Sequence, residues 1–193
     1  MDAYTMLHRW SLWGGRARAA GGAQGRVLEL GVGGGANLRH YRRARLLVGV
    51  DPSPEALARA RQVARGLPFA VALVRARAEA LPFAPASFDA VVGTLVFCSV
   101  EDPRAALAEV QHALAPHGTL RLVEHILPAH GLQRLFLRLA APLWSRISRE
   151  CHVDRETLRT VQAAGWSVEE LREHAGGVFI EVVAGPDGGE MEL

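Results

Sequence analysis

The chain has 193 residues, 49% of them apolar and 22% charged, the size and make-up of one globular domain that can bury a sheet-centred core. Its formal net charge of +2 is too small to argue for a nucleic-acid or membrane-surface partner. It contains no lysine, which excludes a catalytic or Schiff-base lysine.

Two cysteines, Cys98 and Cys151, do not make a secreted disulfide framework. The N-terminus lacks a basic segment followed by an apolar one, and the longest apolar stretch, Val91 to Val100, is too short and too polar to span a bilayer. These features predict a cytoplasmic chain without an integral membrane segment.

In chain order, Tyr4, Met6, Leu7, Trp10, Leu12 and Trp13 are spaced for one face of a short helix. Residues 14–25, rich in Gly, Ala and Arg, predict a mobile connection. Strands and helices then alternate. Apolar runs at 27–30, 46–50, 70–74, 90–95 and 118–123 predict five strands, the second buried on both faces. Asn37–Arg43 predicts a helical turn or two. Ser53 is an N-cap with Pro54 at the first helical position, opening a helix over 55–66. Asp102 and Pro103 open another, to about Ala115. This β-α alternation specifies a mostly parallel sheet with helices on both faces. Residues 131–147 predict an amphipathic helix and 154–164 another. Strands at 166–172 and 178–184, joined near Gly176–Gly177, complete seven, and a tight hairpin there makes the last antiparallel. One domain over 1–193 is expected, with an N-terminal helix and connection over 1–25 and a helical lid over 126–164.

The segment Val27-Leu-Glu-Leu-Gly-Val-Gly-Gly-Gly-Ala-Asn-Leu38 carries the most information. A strand runs into glycines and then a helix. Gly31 and Gly33 let the backbone turn and approach a ligand without a Cβ. The spacing is Gly-x-Gly-x-Gly rather than the Gly-x-Gly-x-x-Gly of dinucleotide folds. Asp51, 20 residues after Gly31, ends the next strand, where a carboxylate can accept hydrogen bonds from adjacent ribose hydroxyls; the plainer alternative is a cap on the helix near Pro54. Glu29 falls inside a buried strand end, and a buried carboxylate needs a partner, for which an ammonium ligand is suited.

These segments, with Val48-Gly-Val-Asp-Pro-Ser53, Ala78-Glu-Ala-Leu-Pro-Phe83, Ser87-Phe-Asp-Ala-Val-Val92 and Leu114-Ala-Pro-His-Gly-Thr119, resemble the ordered motifs of class I S-adenosylmethionine (SAM)-dependent methyltransferases over residues 25–125. Thr94–Val100, Glu124-His125, Glu150-Cys151 and Arg155-Glu-Thr157 resemble the thiol S-methyltransferase-like group, beside ubiquinone/menaquinone-pathway enzymes. The resemblance implies a Rossmann-like fold and SAM as cofactor, with S-adenosylhomocysteine as product. It implies that Gly31, Gly33 and Gly35 border the methionine moiety and that Glu29 lies near its amino group. It assigns Asp51 to the ribose, Pro52 to the adenine face, Ala78 and Glu79 to the adenine edge, and a Gly93 or Thr94 carbonyl to the ammonium. Two positions depart from the family. Arg77 stands where many relatives have an aspartate and cannot accept a hydrogen bond. His117 replaces the first glycine of a turn, where left-handed geometry is expected.

Methyl transfer from a sulfonium is an in-line displacement that rests on positioning, plus removal of a proton where the acceptor is a thiol or phenol. Substrate groups are expected beyond the carboxyl ends of the strands: Phe97, Cys98 and Ser99 after the fourth, Glu124 and His125 after the fifth with His125 as the proton-handling group, and Trp144 and Cys151 from the lid. A plain alternative exists for each: a surface histidine, small buried cysteines, lid packing. No metal site is expected, because Cys98, His125, Cys151 and His152 lack ligand spacing.

An NAD-dependent oxidoreductase would need a third glycine where Ala36 stands and a Tyr-Lys pair. A non-catalytic SAM-binding module remains an alternative. A nucleic-acid methyltransferase is disfavoured by scattered arginines. The expected reaction is methylation of a small, partly apolar acceptor, a thiol first, with a quinone-like ring, an amine or a lipid headgroup as alternatives. Oligomeric state is not legible.

Overall fold

The computed structural model describes residues 14–127, 134, 139, 152 and 155–187. Seven strands form one sheet: β1 Gln24–Leu30, β2 Arg43–Val50, β3 Val71–Val74, β4 Phe88–Thr94, β5 Leu114–His125, β6 Trp166–His174 and β7 Phe179–Pro186, in the order β3-β2-β1-β4-β5-β7-β6. Neighbouring pairs among β1–β5 are parallel, and β7 runs antiparallel to both β5 and β6. The expected seven-stranded, mostly parallel sheet with its last strand reversed is therefore what the chain forms. The reversal follows from the turn after β6. Ala175, Gly176 and Gly177 all have positive φ, and the Gly177 N–H donates to His174 O. A turn this tight joins only antiparallel neighbours.

The helices are α1 Gly15–Gly22, α2 Pro54–Ala64, α3 Pro103–Ala113 and α4 Thr157–Ala163, with one 3-10 turn at Leu38–His40. Alternation along β1 separates two cores. Leu28 and Leu30 pack with Leu107 and Val110 of α3 and Val161 of α4. Val27 packs with Ala19 and Ala20 of α1 and Leu57 and Ala60 of α2. Both expected caps are present: Ser53 Oγ accepts the Ala56 N–H, and Asp102 accepts those of Arg104 and Ala105. Each satisfies backbone donors that a helix start leaves free.

Two expectations need correction. The connection expected over residues 14–25 is helix α1 followed by the start of β1. Its propensity is poor, but Gly15 and Ala19 are small enough to lie against β5 and β7, where a Cβ on Gly15 would meet Val123 and Glu181. Arg18 forks onto Glu181, and Arg16 donates to Asn37. Tertiary packing outweighs propensity here. His117 has no positive φ. It lies inside β5, which begins at Leu114, so no left-handed residue is called for. The 131–147 helix, the N-terminal aromatics and most of the lid lie outside the described residues, although Arg134 and Leu139 are helical.

Candidate active site

The carboxyl ends of β1, β2 and β4 open on one cleft of about 350 Å³, within the ~300–1,000 Å³ of small-molecule sites. Gly31, Asp51, Pro52, Ala78 and Glu79 line one part of it, beside Val50, Ala76 and Arg77; Leu95, Val96, Ser99, Val100 and Glu101 line the rest. Five expected cofactor residues thus meet in one place, at the point where strand order reverses.

Gly31 has φ +56°, and a Cβ there would stand 2.7 Å from a Val96 methyl. The turn and the close approach of the β4 loop together demand glycine. Gly35, at φ +83°, answers a different need: a Cβ would lie 2.9 Å from Leu38 and 3.2 Å from the Ala60 backbone. Its absence lets the glycine loop rest on α2. Gly35→Ala adds left-handed strain of about 1–2 kcal/mol to that overlap, and a Tm loss of roughly 5 °C or more is expected by thermal unfolding. An unchanged Tm would show that the loop yields freely.

Asp51 is 9% exposed. Its Oδ2 accepts the Gly33 N–H and its Oδ1 that of Ser53, both at 2.9 Å. The helix cap is Ser53, so Asp51 is not needed for that role. A carboxylate has about four acceptor positions, so the two amides leave capacity for two ribose hydroxyls.

Glu29 is 1% exposed, and its Oε2 and the Tyr41 hydroxyl are buried without a well-formed hydrogen bond among the described residues. Burial pushes the Glu29 carboxyl up to about 8, although Tyr41, the Arg16 charge and Asn37 oppose that rise. Asn37 accepts from Arg16 and donates to Thr94 Oγ1 at 3.0 Å. Thr94 thereby belongs to a polar cluster with Glu29. Gly93 packs against Leu122 and Phe97 within the sheet. Neither residue lines the cleft.

Arg77 pairs with Glu101 at 2.9 Å and Glu79 at 3.4 Å. The Glu79 carboxylate accepts the Glu101 N–H at 2.8 Å. Burial opposes its ionisation, yet these amides and Arg77 hold it below the ordinary carboxylate range. Where the resemblance leads to the expectation of an acceptor, this chain presents an ion-paired rim.

Phe97 and Cys98 are fully buried behind the cleft wall and His125 is 5% exposed, its ring tilted against that of Phe179 with centroids 4.2 Å apart. None of the three lines the cleft. Trp144 and Cys151 lie outside the described residues. No metal-binding cluster occurs among the described residues.

Glu124 had been read only as a residue following the fifth strand. Its buried carboxylate accepts the Val96, Phe97 and Cys98 N–H groups at 2.7, 3.0 and 3.3 Å. An acidic residue interrupting the apolar run Leu-Val-Glu-His-Ile was the available signal, the same one that marked Glu29.

Residues 28–122 match a family model described as a methyltransferase domain. The chain is 37% identical over 149 residues to thiol S-methyltransferase TMT1B of Rattus norvegicus, covering 75% of this chain and 61% of that protein. It is 30% identical over 150 residues to thiol S-methyltransferase TMT1A of Homo sapiens, covering 76% and 62%. The chain thus spans about three fifths of the length of these relatives. Among solved structures, the complex between the Haloferax volcanii Trm112 methyltransferase activator and a methyltransferase contains a chain that matches at TM-score 0.74 and 19% identity, covering 94% and 92%. A SAM-dependent methyltransferase from Mesorhizobium loti matches at TM-score 0.71 and 21% identity, covering 93% and 99%; both show likeness of fold. A reversed final strand, a glycine turn and an acidic residue closing β2 define a class I methyltransferase domain. Residues 28–122 are a methyltransferase domain, and with the relatives at 30–37% identity that domain belongs with the class I SAM-dependent methyltransferases.

The residues present fit the cofactor. Glu29 does not line the cleft, but its buried Oε2, without a well-formed hydrogen bond among the described residues, is suited to an ammonium, and Asp51 supplies free acceptor positions at the cleft.

Proposed function

We propose that the chain transfers the methyl group of SAM to a small, partly apolar thiol. The observation that carries the cofactor half is the cleft itself, where Gly31 and Asp51 face the Leu95–Glu101 segment. The thiol half rests on the similarity to proteins named thiol S-methyltransferases.

When bound, SAM supplies an electrophilic methyl on a sulfonium. The chain's own work is then to bind, orient and exclude water. Asp51 anchors the ribose and Glu29 the ammonium, while Pro52 and Ala78 flank the adenine. A thiol as acidic as cysteine is a few per cent thiolate near neutrality and that fraction is nucleophilic; a simple alkyl thiol is a weaker acid and needs more help with its proton. Leu95, Val96, Ser99 and Val100 wall the acceptor side of the cleft, with Phe97 and Cys98 packed behind them; proton handling is assigned to His125, which lies off the cleft lining, and enclosure of the acceptor to Trp144 and Cys151.

The test is turnover of an alkyl thiol, a phenol, a quinol and an amine, each at pH 6.5 and pH 9, by wild type and His125→Ala. Thiol methylation is expected, with the larger His125→Ala loss at pH 6.5, where less substrate is pre-ionised. Activity confined to the quinol or amine would overturn the thiol assignment. A pH-independent loss would remove His125 from proton handling. Cofactor binding without any turnover would leave a non-catalytic SAM-binding module.

A further inference from the structure

The β4–α3 loop is held from two chemical sides. Its N–H groups at Val96, Phe97 and Cys98 converge on Glu124. Its carbonyls are taken by the segment before α4: Arg155 Nη1 donates to Phe97 O at 2.6 Å and the His152 N–H to Cys98 O at 2.7 Å. That segment is tied back to β5 by the Leu127 N–H donating to Arg155 O. The loop starts at Leu95, whose φ of +57° is rare for a side chain of this kind. Such a conformation persists only where its surroundings over-determine it. Leu95, Val96, Ser99 and Val100 form one wall of the cleft.

We propose that Glu124 is a positioning residue for the cofactor cleft: as a carboxylate it holds the Leu95–Cys98 turn in place as the cleft wall, and uptake of a proton loosens that turn. This deepens the reading of the cleft as the SAM site and rests on it. A carboxylate accepting successive N–H groups makes charge-assisted bonds, roughly twice as strong as neutral ones. Protonation removes that assistance from all three amides at once. The proton is available at neutrality, because burial raises the Glu124 carboxyl to about 7 against the three amides and His125. The ionisable groups around it are His125 beside it on β5, Cys98 on the turn, Arg155 and His152 at the turn's carbonyls, and Glu173, two strands away in the same register row.

The experiment compares wild type with Glu124→Gln, a near-isosteric change that keeps one acceptor oxygen and cannot ionise. Amide hydrogen exchange at Val96, Phe97 and Cys98 is followed from pH 6 to pH 8, corrected for intrinsic rates. Wild-type protection is expected to fall about tenfold toward pH 6, and that of the variant to stay low throughout. Calorimetry with S-adenosylhomocysteine gives the second readout. The ratio of dissociation constants, variant over wild type, is expected to be about tenfold at pH 8 and close to one at pH 6. Glu29 is present in both proteins and cancels from that ratio.

Equal amide protection in the two proteins at pH 8 overturns the proposal, as does a ratio of one at pH 8. A ratio that does not change with pH overturns the proton linkage. Should neither protein bind S-adenosylhomocysteine, the cofactor reading fails and the amide protection still decides the role of Glu124.

Discussion

Asp51→Ala is expected to weaken S-adenosylhomocysteine binding by about 2 kcal/mol or more, some thirtyfold in dissociation constant, because hydrogen bonds to charged groups are worth ~1.5–3 kcal/mol net. The same carboxylate accepts the Gly33 and Ser53 amides, so alanine also releases the glycine loop. Asp51→Asn separates the two roles. Its amide oxygen still accepts from one backbone N–H, while the charged acceptor for the ribose is lost. Affinity should therefore fall in both variants, with a larger fall in Tm for alanine. Calorimetry with NAD alongside is the control, and tight NAD binding with no response to S-adenosylhomocysteine would refute the family-based cofactor. An unchanged dissociation constant for the asparagine variant would leave Asp51 as a brace for the loop alone.

The reading of β2 and its aspartate shows what sequence carries well. Buried parallel strands leave continuous apolar runs, and an acid at the end of such a run stands out. The glycine turn stands out for the same local reason, since Gly31 and Gly35 are demanded by φ and by contacts within a few ångströms. Helix α1 was illegible because nothing local stabilises it. Gly15, Gly21 and Gly22 disfavour a helix, and what holds it are Glu181 and Asn37, distant in the chain. The rim was half legible. That Arg77 cannot act as an acceptor followed from its chemistry, but its ion pair with Glu101 needed the fold. Of the expected segment Phe97, Cys98 and Ser99, only Ser99 reaches the cleft, with Val96 and Val100, and Phe97 and Cys98 are buried behind it. The Glu124 carboxylate that meets this turn comes from another strand: the acid was legible in the β5 run, its partners were not.

Glu29→Gln is expected to move stability and binding in opposite directions. Burial raises the carboxyl to about 8 from an ordinary value near 4.5. A raised value means that the folded chain holds the proton more tightly than the unfolded chain does. The associated stability is complete below about pH 4.5 and is lost as pH rises through 8. At pH 9 the ligand-free protein must keep an ionised, incompletely paired carboxylate in its core, and glutamine removes that burden. The variant should therefore unfold at higher temperature than wild type at pH 9, with a gain of up to about 5 kcal/mol at ~1.4 kcal/mol per pKa unit, and the two should converge near pH 4.5. Cofactor binding should respond the other way. An ammonium beside Glu29 favours the carboxylate, so wild type should release close to one proton more than the glutamine variant on binding S-adenosylhomocysteine at pH 6.5, Glu124 being common to both. Calorimetry in buffers of differing ionisation enthalpy measures that proton. Glutamine cannot release it and should bind at least tenfold more weakly at pH 8. If the variant binds as tightly as wild type, with the same proton release, the ammonium is held elsewhere and the buried acid belongs to the Asn37–Thr94 cluster alone.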